Sequence, residues 1–523
     1  MSRTYEDALS HLASLQSNFA ITSLFSPKVT APDDSKGGND KAQDLNAVAI
    51  PEVIAWLGRA GLTPDDLCGL RCVHVAGTKG KGSVCAYLTS VLTQPELRNV
   101  AGRVGTYTSP HLITVRERIM LDGEPIGREL FTRYFFEVWD AMTASARAEY
   151  VAATGQEQQQ QISDEVEAEL RGPATKPFYF RFLTIMALYA FLREGVRSAV
   201  IECGIGGEYD STNILPPGAV TAGVVAQLGI DHVGMLGGTL PEIAWHKIGI
   251  AKAGRKIFTR KLEGGDAEEE AMKVIRARAV EKKAILVEVT DAQAEESSIS
   301  AAHHTPSLAG EFQKYNRALV RAAVPEHLQL CDGEAYQSLT QETLEQAMRH
   351  GLEQAQLRGR CETRADGNIT WLIDGAHTAE SLHEVAKWFA SKADADSDAR
   401  KVLVFNQQER DVGKLLKVLC AGIPSGSRAA ACPFDEAIFT RNDSHPRKEG
   451  EAERDLSVQG AAGDAYERIY PGGRTAIRDN ITDTIEEVRK DGLGSQQKTL
   501  VLVTGSLHLI GALLQVLEPD APR

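Results

Sequence analysis

Apolar positions along the chain fall into two rhythms. From Thr4 to Leu15 they recur at helical spacing, with Thr4 placed to cap the first turn. Ser26 to Asn46 is rich in Pro, Asp, Gly and Lys and reads as a loop, and Ile50 to Leu57 reads as helix again. At Cys72 the rhythm changes to short continuous runs. CVHVAG is a buried strand, a Gly-rich turn follows, and SVCAYLTSVL is an apolar helix. SAVIECG and TAGVVAQLG repeat the strand pattern. Uninterrupted Val, Ile and Ala runs between helices predict a parallel sheet covered on both faces. Four more runs, TWLIDGAH, KVLVFN, EAIFT and TLVLVTGS, are separated by helical stretches and predict a second α/β sheet.

Polar stretches punctuate this pattern. Ala144 to Lys176, with its run of Gln, is expected to be a mobile surface insertion, and Ser425 to Gly463, apart from EAIFT, to be in part a loop insertion. The fold class is therefore α/β. A P-loop-type, mostly parallel sheet is expected in residues 1–350 and a smaller Rossmann-like domain in residues 351–523. No solenoid repeat is visible.

Composition narrows the partners. The 523 residues are 43% hydrophobic and 24% charged, which excludes collagen-like, coiled-coil and wholly disordered chains. A net charge of −14 argues against a nucleic-acid backbone binder, while leaving room for one local basic pocket. The eight cysteines have no paired metal-ligand spacing and read as free thiols in a reducing compartment. No apolar run approaches the roughly 20 residues of a membrane span. The opening MSRTYEDALSHLASLQSNFA carries acids and lacks an apolar core or Arg-rich character, so a cytoplasmic protein without a transit peptide is expected.

Chemistry gathers at the predicted strand ends. Gly77-Thr78-Lys79-Gly80-Lys81-Gly82-Ser83 follows a strand and opens a helix. Glycines let backbone N–H groups turn inward and the helix start adds positive potential, so phosphates bind there. Lys81 can reach terminal phosphates and Ser83 supplies a hydroxyl beside a metal. The loop is shorter than the common P-loop, with Gly82 between Lys81 and Ser83. A merely flexible turn is the alternative. Thr108-Ser109-Pro110-His111-Leu112 is a stiff loop that suits a ligand-facing hydroxyl or is an ordinary turn. Glu202 ends a strand, where a carboxylate holds Mg²⁺ or caps the next helix. Asp231-His232 and, on a later helix, Lys247 follow the next strand. In the second half, Arg360 and the strand-ending Asp374–His377 suit a nucleotide sugar, a phosphate or a small charged substrate, and Ser506 and His508 open the last helix.

In order, GTKGKGS, YTSPHL with RERI, ECGIGGEYDSTN, GIDHVGMLG with IAWHKIGIAKAG, GEFQKYN, RGRCE, DGAHT and VTGSLHL span nearly the whole chain. This ordered set resembles the folylpolyglutamate synthases of the eukaryotic, fungal-like branch, within the Mur-ligase superfamily. The resemblance implies an N-terminal Mg-ATPase domain and a smaller Rossmann-like domain. It implies that ATP, a reduced folate and L-glutamate give ADP, phosphate and a folate longer by one γ-linked glutamate. It puts the phosphates on Gly77 to Ser83 and the nucleotide on Asn316, Arg360 and Asp374, with His377 beside them. Ser109, Glu202 and His232 match magnesium ligands, and a monovalent cation such as K⁺ is a further implied ion. Lys247 matches a lysine that some members carry as a carbamate. Arg118, Ser506 and His508 fall near the implied glutamate site. A monomer with small-molecule partners is expected, and a mitochondrial pool is compatible with the family.

Two positions depart from the family pattern. Phe312 stands where many members have His, and Thr378 follows His377 where many bacterial members have Asn. Two rivals stay open. One is dihydrofolate synthase, which adds the first glutamate to dihydropteroate. The other is a P-loop switch or motor ATPase without ligase activity.

Overall fold

The first sheet is built around strands that cannot face water on either side. In the computed structural model of the chain, β1 (Arg71–Ala76), β5 (Val196–Glu202) and β6 (Val220–Val225) lie side by side and are buried almost throughout. The structure describes residues 3–15, 38–154, 162–299, 308, 310, 312–408, 411–423, 432–493 and 497–518. With β2 (Arg103–Tyr107), β3 (Ile119–Leu121), β4 (Glu124–Pro125), β7 (Lys256–Arg260) and β8 (Ile285–Val289), the sheet order is β4-β3-β2-β5-β1-β6-β7-β8. The pairs from β2 to β8 are parallel, and β3 and β4 form an antiparallel edge. Parallel ladders need crossover helices. The helices Lys81–Leu92 and Tyr179–Arg193 fit that need, since both are apolar almost all round and buried.

The second sheet comprises β9 (Glu362–Asp366), β10 (Ile369–Ile373), β11 (Arg400–Phe405), β12 (Glu436–Thr440), β13 (Thr475–Arg478) and β14 (Thr499–Thr504). Its order is β13-β12-β11-β14-β10-β9, parallel except for β9. The two-residue period of a strand splits its apolar side chains between two cores. Leu372, Leu403, Phe405, Leu500 and Leu502 pack with the helices Ala379–Ala395, Val412–Ala421 and Ser457–Ile469. Trp371, Ile373, Val402, Val404, Val501 and Val503 pack with Ile481–Leu493 and Leu507–Leu517. β14 therefore continues into a helix on one face while its neighbours β10 and β11 continue onto the other. Diverging connections of this kind open a crevice at the carboxyl ends of the strands.

By contacts the chain forms two units. One comprises Met1–His111, Arg116–Pro306 and Gln313–Ala355; the other comprises Leu112–Val115, Ser307–Phe312 and Gln356–Arg523. Among the described residues no helix is long and apolar enough to cross a membrane. The eight cysteines are free, and Cys68, Cys331 and Cys432 are only half-buried.

Three polar stretches are more ordered than their composition suggests. The expected loop at Ser26–Asn46 lies partly outside the described residues, but from Gly38 it is the first part of a helix running to Arg59. That helix is held by burial of Val53 and Leu57 further along. In Ala144–Lys176 only 155–161 lies outside the described residues. Ala144–Thr154 ends the helix Arg128–Thr154, and a Ser163-capped helix covers Asp164–Arg171. The buried Lys176 ammonium donates to the carbonyls of Leu170 and Gly172, each at 3.3 Å, which closes the second helix. The tail of Ser425–Gly463 enters the helix Ser457–Ile469, with Gln459, Ala462 and Gly463 buried. In each case a few buried residues anchor a helix whose other faces are polar, and composition averages them away.

Candidate active site

The Gly-rich turn is pinned from below and open above. Gly77 has φ +152°, and a Cβ there would lie 2.9 Å from that of Ala226. The N–H groups of Thr78 and Lys79 donate to the Gln227 carbonyl at 2.9 and 3.1 Å. The Thr78 hydroxyl donates to the Gly229 carbonyl at 2.9 Å. Gly80 caps the helix Lys81–Leu92 in the left-handed region (φ +81°) and offers no side-chain acceptor. The first-turn N–H groups are thus left for an anion. Lys81 reaches back over the loop, with Nζ 3.0 Å from the Gly77 carbonyl.

Asn316 belongs to this turn. Its Oδ1 is 2.6 Å from where a Gly80 Cβ would sit, and its Nδ2 donates to Gln313 Oε1 at 2.8 Å. Gln313 Nε2 in turn donates to Ser83 Oγ at 3.1 Å. The site-residue assignment from sequence left out Gln313. The motif GEFQKYN contains it, but nothing in the sequence signals its bond to Ser83.

The neighbouring strand ends carry the acids, and the helix Leu240–Ile248 carries the lysine. Glu202 is buried at the end of β5, and its Oε2 accepts the Ser109 N–H at 3.0 Å. The loop beginning at Thr108 and the end of β5 are thereby brought together. His232 is half exposed at φ +49°, with Nε2 4.0 Å from Asp231 Oδ2. Among the described residues no three His, Cys, Asp or Glu side chains converge as a metal cage. Two serine hydroxyls and a carboxylate are nevertheless of the hard oxygen type that Mg²⁺ takes, and the His232 imidazole is the softer donor of the set. Lys247 is 2% exposed. Burial first, then the nearby charge of Lys81, pulls its ammonium down to about 7. Arg118 is buried, donates from Nε to His111 Nδ1 at 2.9 Å, and lies over the Tyr179 ring at 5.4 Å. His111 is thus a polar partner that the sequence assignment did not single out.

In the second unit, Asp374 directly follows β10 and is buried. Its two oxygens accept the N–H groups of Cys361 and Ala376, both at 2.8 Å. Burial raises its carboxyl, while the Arg360 charge and these donors oppose the rise. Gly375 is closely packed, since a Cβ there would meet Leu507 Cδ2 at 2.3 Å and Arg360 Nη1 at 3.5 Å. His377 Nδ1 lies 3.0 Å from the Gly375 carbonyl. A carbonyl only accepts, so Nδ1 is the donor to it, and Nε2 is the atom that bears the lone pair in the neutral imidazole. Ser506 caps the helix Leu507–Leu517, accepting from the N–H groups of His508 at 3.1 Å and Leu509 at 3.5 Å. Its own hydroxyl proton remains to donate. His508 is exposed in the first turn.

Known proteins share this framework. A family model described as the C-terminal domain of dihydrofolate synthetase matches residues 356–516. The folylpolyglutamate synthase of Neurospora crassa is 35% identical, covering 99% of this chain and 92% of its own length. The solved folylpolyglutamate synthase of Thermotoga maritima aligns with a TM-score of 0.63 at 20% identity, covering 93% of this chain and 99% of that one. That of Mycobacterium tuberculosis, solved with ADP, gives 0.62 at 21% identity, covering 99% and 100%. At such identity the structural likeness bears on the fold.

Proposed function

The chain belongs to the folylpolyglutamate synthase family, and from that premise we propose that it joins L-glutamate in γ-linkage to reduced folates at the expense of ATP. The observation that carries this reading is the uncapped start of the helix Lys81–Leu92, with Lys81 folded over the turn. A carboxylate is a poor electrophile, and phosphorylation makes it one. The folate γ-carboxylate attacks the γ-phosphate of ATP, forming a carbon–oxygen–phosphorus linkage and releasing ADP. Lys81 and the first-turn N–H groups meet the charge that develops on the transferred group. Ser83, Ser109, Glu202 and His232 fit Mg²⁺, which when bound neutralises phosphate charge. Arg360, Asp374 and Asn316 hold the nucleotide in this reading.

The glutamate amine, in neutral form, then attacks the acyl carbon and phosphate departs. His377 Nε2, the lone-pair atom of the neutral imidazole, is suited to take the amine proton. Arg118, Ser506 and His508 offer donors to glutamate and folate carboxylates. Lys247 supports the first step as a carbamate, which its lowered ammonium favours.

A second reading is dihydrofolate synthase, favoured by the family model matched at 356–516. Mass spectrometry of folates after incubation with MgATP and glutamate separates the two. Tetrahydrofolate extended by several glutamates, with dihydropteroate a poor acceptor, is the expected outcome. Efficient glutamylation of dihydropteroate with no product beyond one glutamate would transfer the assignment to the synthase. ATP hydrolysis independent of folate and glutamate would remove both.

A further inference from the structure

Three buried polar side chains lie beneath the exit of β5 and have no part in the chemistry above: His74, Thr212 and Asp210. His74 stands on β1 opposite Ile201 of β5 and is fully buried. Its Nε2 is 2.8 Å from Thr212 Oγ1 and 3.2 Å from Cys203 Sγ. Thr212 Oγ1 is 2.6 Å from Asp210 Oδ1, which also accepts the Thr212 N–H at 2.9 Å. Asp210 Oδ2 accepts the Ile205 N–H at 3.0 Å.

Proton accounting fixes the direction of this chain. Thr212 has one hydroxyl proton, and the Asp210 carboxylate oxygen at 2.6 Å takes it in preference to Cys203 Sγ at 3.4 Å. His74 Nε2 then faces a hydroxyl lone pair and must carry the imidazole proton. The opposite tautomer would set two lone pairs against each other at 2.8 Å. It would also bury an N–H at Nδ1, which has no partner among the described residues. An orphaned acceptor is the lesser cost. His74 therefore donates to Thr212, and Thr212 to Asp210.

Asp210 closes the loop that begins just after Glu202, and this loop is gripped from two sides. A Cβ on Gly204 would lie 2.7 Å from Phe180 Cζ. A Cβ on Gly207 would lie 2.6 Å from the His246 carbonyl oxygen and 2.9 Å from that of Lys247. The Glu208 N–H donates to the same His246 carbonyl at 2.7 Å. The backbone of Lys247 is seated directly against the loop.

We propose that His74 is a positioning residue. Acting through Thr212 and Asp210, it fixes the loop 203–210 and with it Glu202 at one end and the Lys247 backbone at the other. The inference rests on those two residues belonging to the active site proposed above.

His74→Leu removes the donor, and His74→Gln returns an N–H near the place of Nε2. Two quantities are read on the full chain: amide hydrogen exchange over 203–212 by mass spectrometry, and steady-state kinetics with MgATP, tetrahydrofolate and glutamate. In folded His74→Leu protein, exchange in that segment rises on the order of ten-fold while other segments are unchanged. kcat falls by about a hundred-fold, as for a slightly misplaced reacting group, and KM for ATP moves less than about two-fold. His74→Gln recovers most of both. The proposal is overturned if His74→Leu matches wild type, if exchange rises with kcat intact, or if both variants lose equally, which marks simple packing. Where circular dichroism finds His74→Leu unfolded, Thr212→Val takes its place, with Thr212→Ser as the rescue and the same expectations. Exchange needs no turnover, so a wild-type chain that fails to extend folate refutes the proposed function while the loop measurement still decides this one.

Discussion

Lys247→Met should make the protein more stable at neutral pH while removing its activity. Methionine keeps an unbranched apolar stem of nearly the lysine's length, with sulfur in place of one methylene and no amine. In the folded chain that amine falls from 10.5 to about 7, with burial the main cause. The fall disfavours the charged form by about 5 kcal/mol relative to the unfolded chain. The sign follows from proton counts. Between about pH 7 and about pH 10.5 the unfolded chain holds a proton that the folded chain lacks, so stability rises with pH across that window. The penalty is fully present below it and gone above it. Met carries no such penalty. Its advantage over Lys should therefore be about 4 kcal/mol near pH 7 and about 2 kcal/mol near pH 9. Urea denaturation of both proteins in carbon-dioxide-free buffer, followed by tryptophan fluorescence, measures the difference at each pH. A difference that does not grow as pH falls, or a Met variant less stable throughout, refutes the buried neutral amine. Folate extension should drop at least about a hundred-fold in the variant; full turnover would remove Lys247 from the mechanism.

Lys81→Ala should leave thermal stability near wild type and lower kcat by about a hundred- to a thousand-fold, because its charge acts as phosphoryl transfer develops. Turnover close to normal in folded protein would dismiss the phosphate-loop reading. Gly80→Ala places a methyl 2.6 Å from Asn316 Oδ1 at φ +81°, and the backbone term alone costs about 1–2 kcal/mol. Calorimetric titration with ADP should report weakened binding, and unchanged affinity would mean that Asn316 does not set the turn. Glu202→Gln keeps an acceptor for the Ser109 N–H but loses a charged ligand. Its defect should be partly relieved at higher Mg²⁺, whereas lowered stability with unaltered Mg²⁺ dependence would return Glu202 to a structural cap.

What the sequence made legible was whatever repeats a period or strings a motif. Runs such as VTAGVV and TLVLVT are buried on both faces, and a strand of that kind has little other place to go than a sheet centre. The order of the motifs marked the Gly-rich turn, and Glu202 and Asp374 at strand ends. Less visible were helices whose burial rests on two or three residues, such as Val53 and Leu57 after a polar start, or Leu170 in an acidic stretch. Also hidden were partners distant along the chain. Gln313 meets Ser83 where two helices 230 residues apart in the chain pack together, and His74 on β1 meets Thr212, 138 residues further on. Local spacing carries no trace of such pairs. Ser506 illustrates a different limit: its place before LHLIG suits both a helix cap and a substrate donor, and geometry adds the cap without removing the second.

The turn itself separates scaffold from chemistry within seven residues. The N–H groups of Thr78 and Lys79 are spent on Gln227, and Gly77 and Gly80 take backbone angles that side chains resist. These positions decide where the helix begins and which way it points. What then remains for a ligand, in the reading proposed above, is Lys81, Gly82 and Ser83, the first turn of a helix without a capping side chain. This division accounts for the unusual spacing. In the common loop the hydroxyl residue directly follows the lysine, whereas here Gly82 intervenes and Ser83 is held by Gln313. A serine one place deeper in the helix needs a second element to orient it, and the helix Gln313–Cys331 supplies both that amide and the Asn316 side chain lying against Gly80. In the reading proposed above, the shortened loop and the motif GEFQKYN therefore act as one device, the second orienting the hydroxyl and lying against the turn of the first.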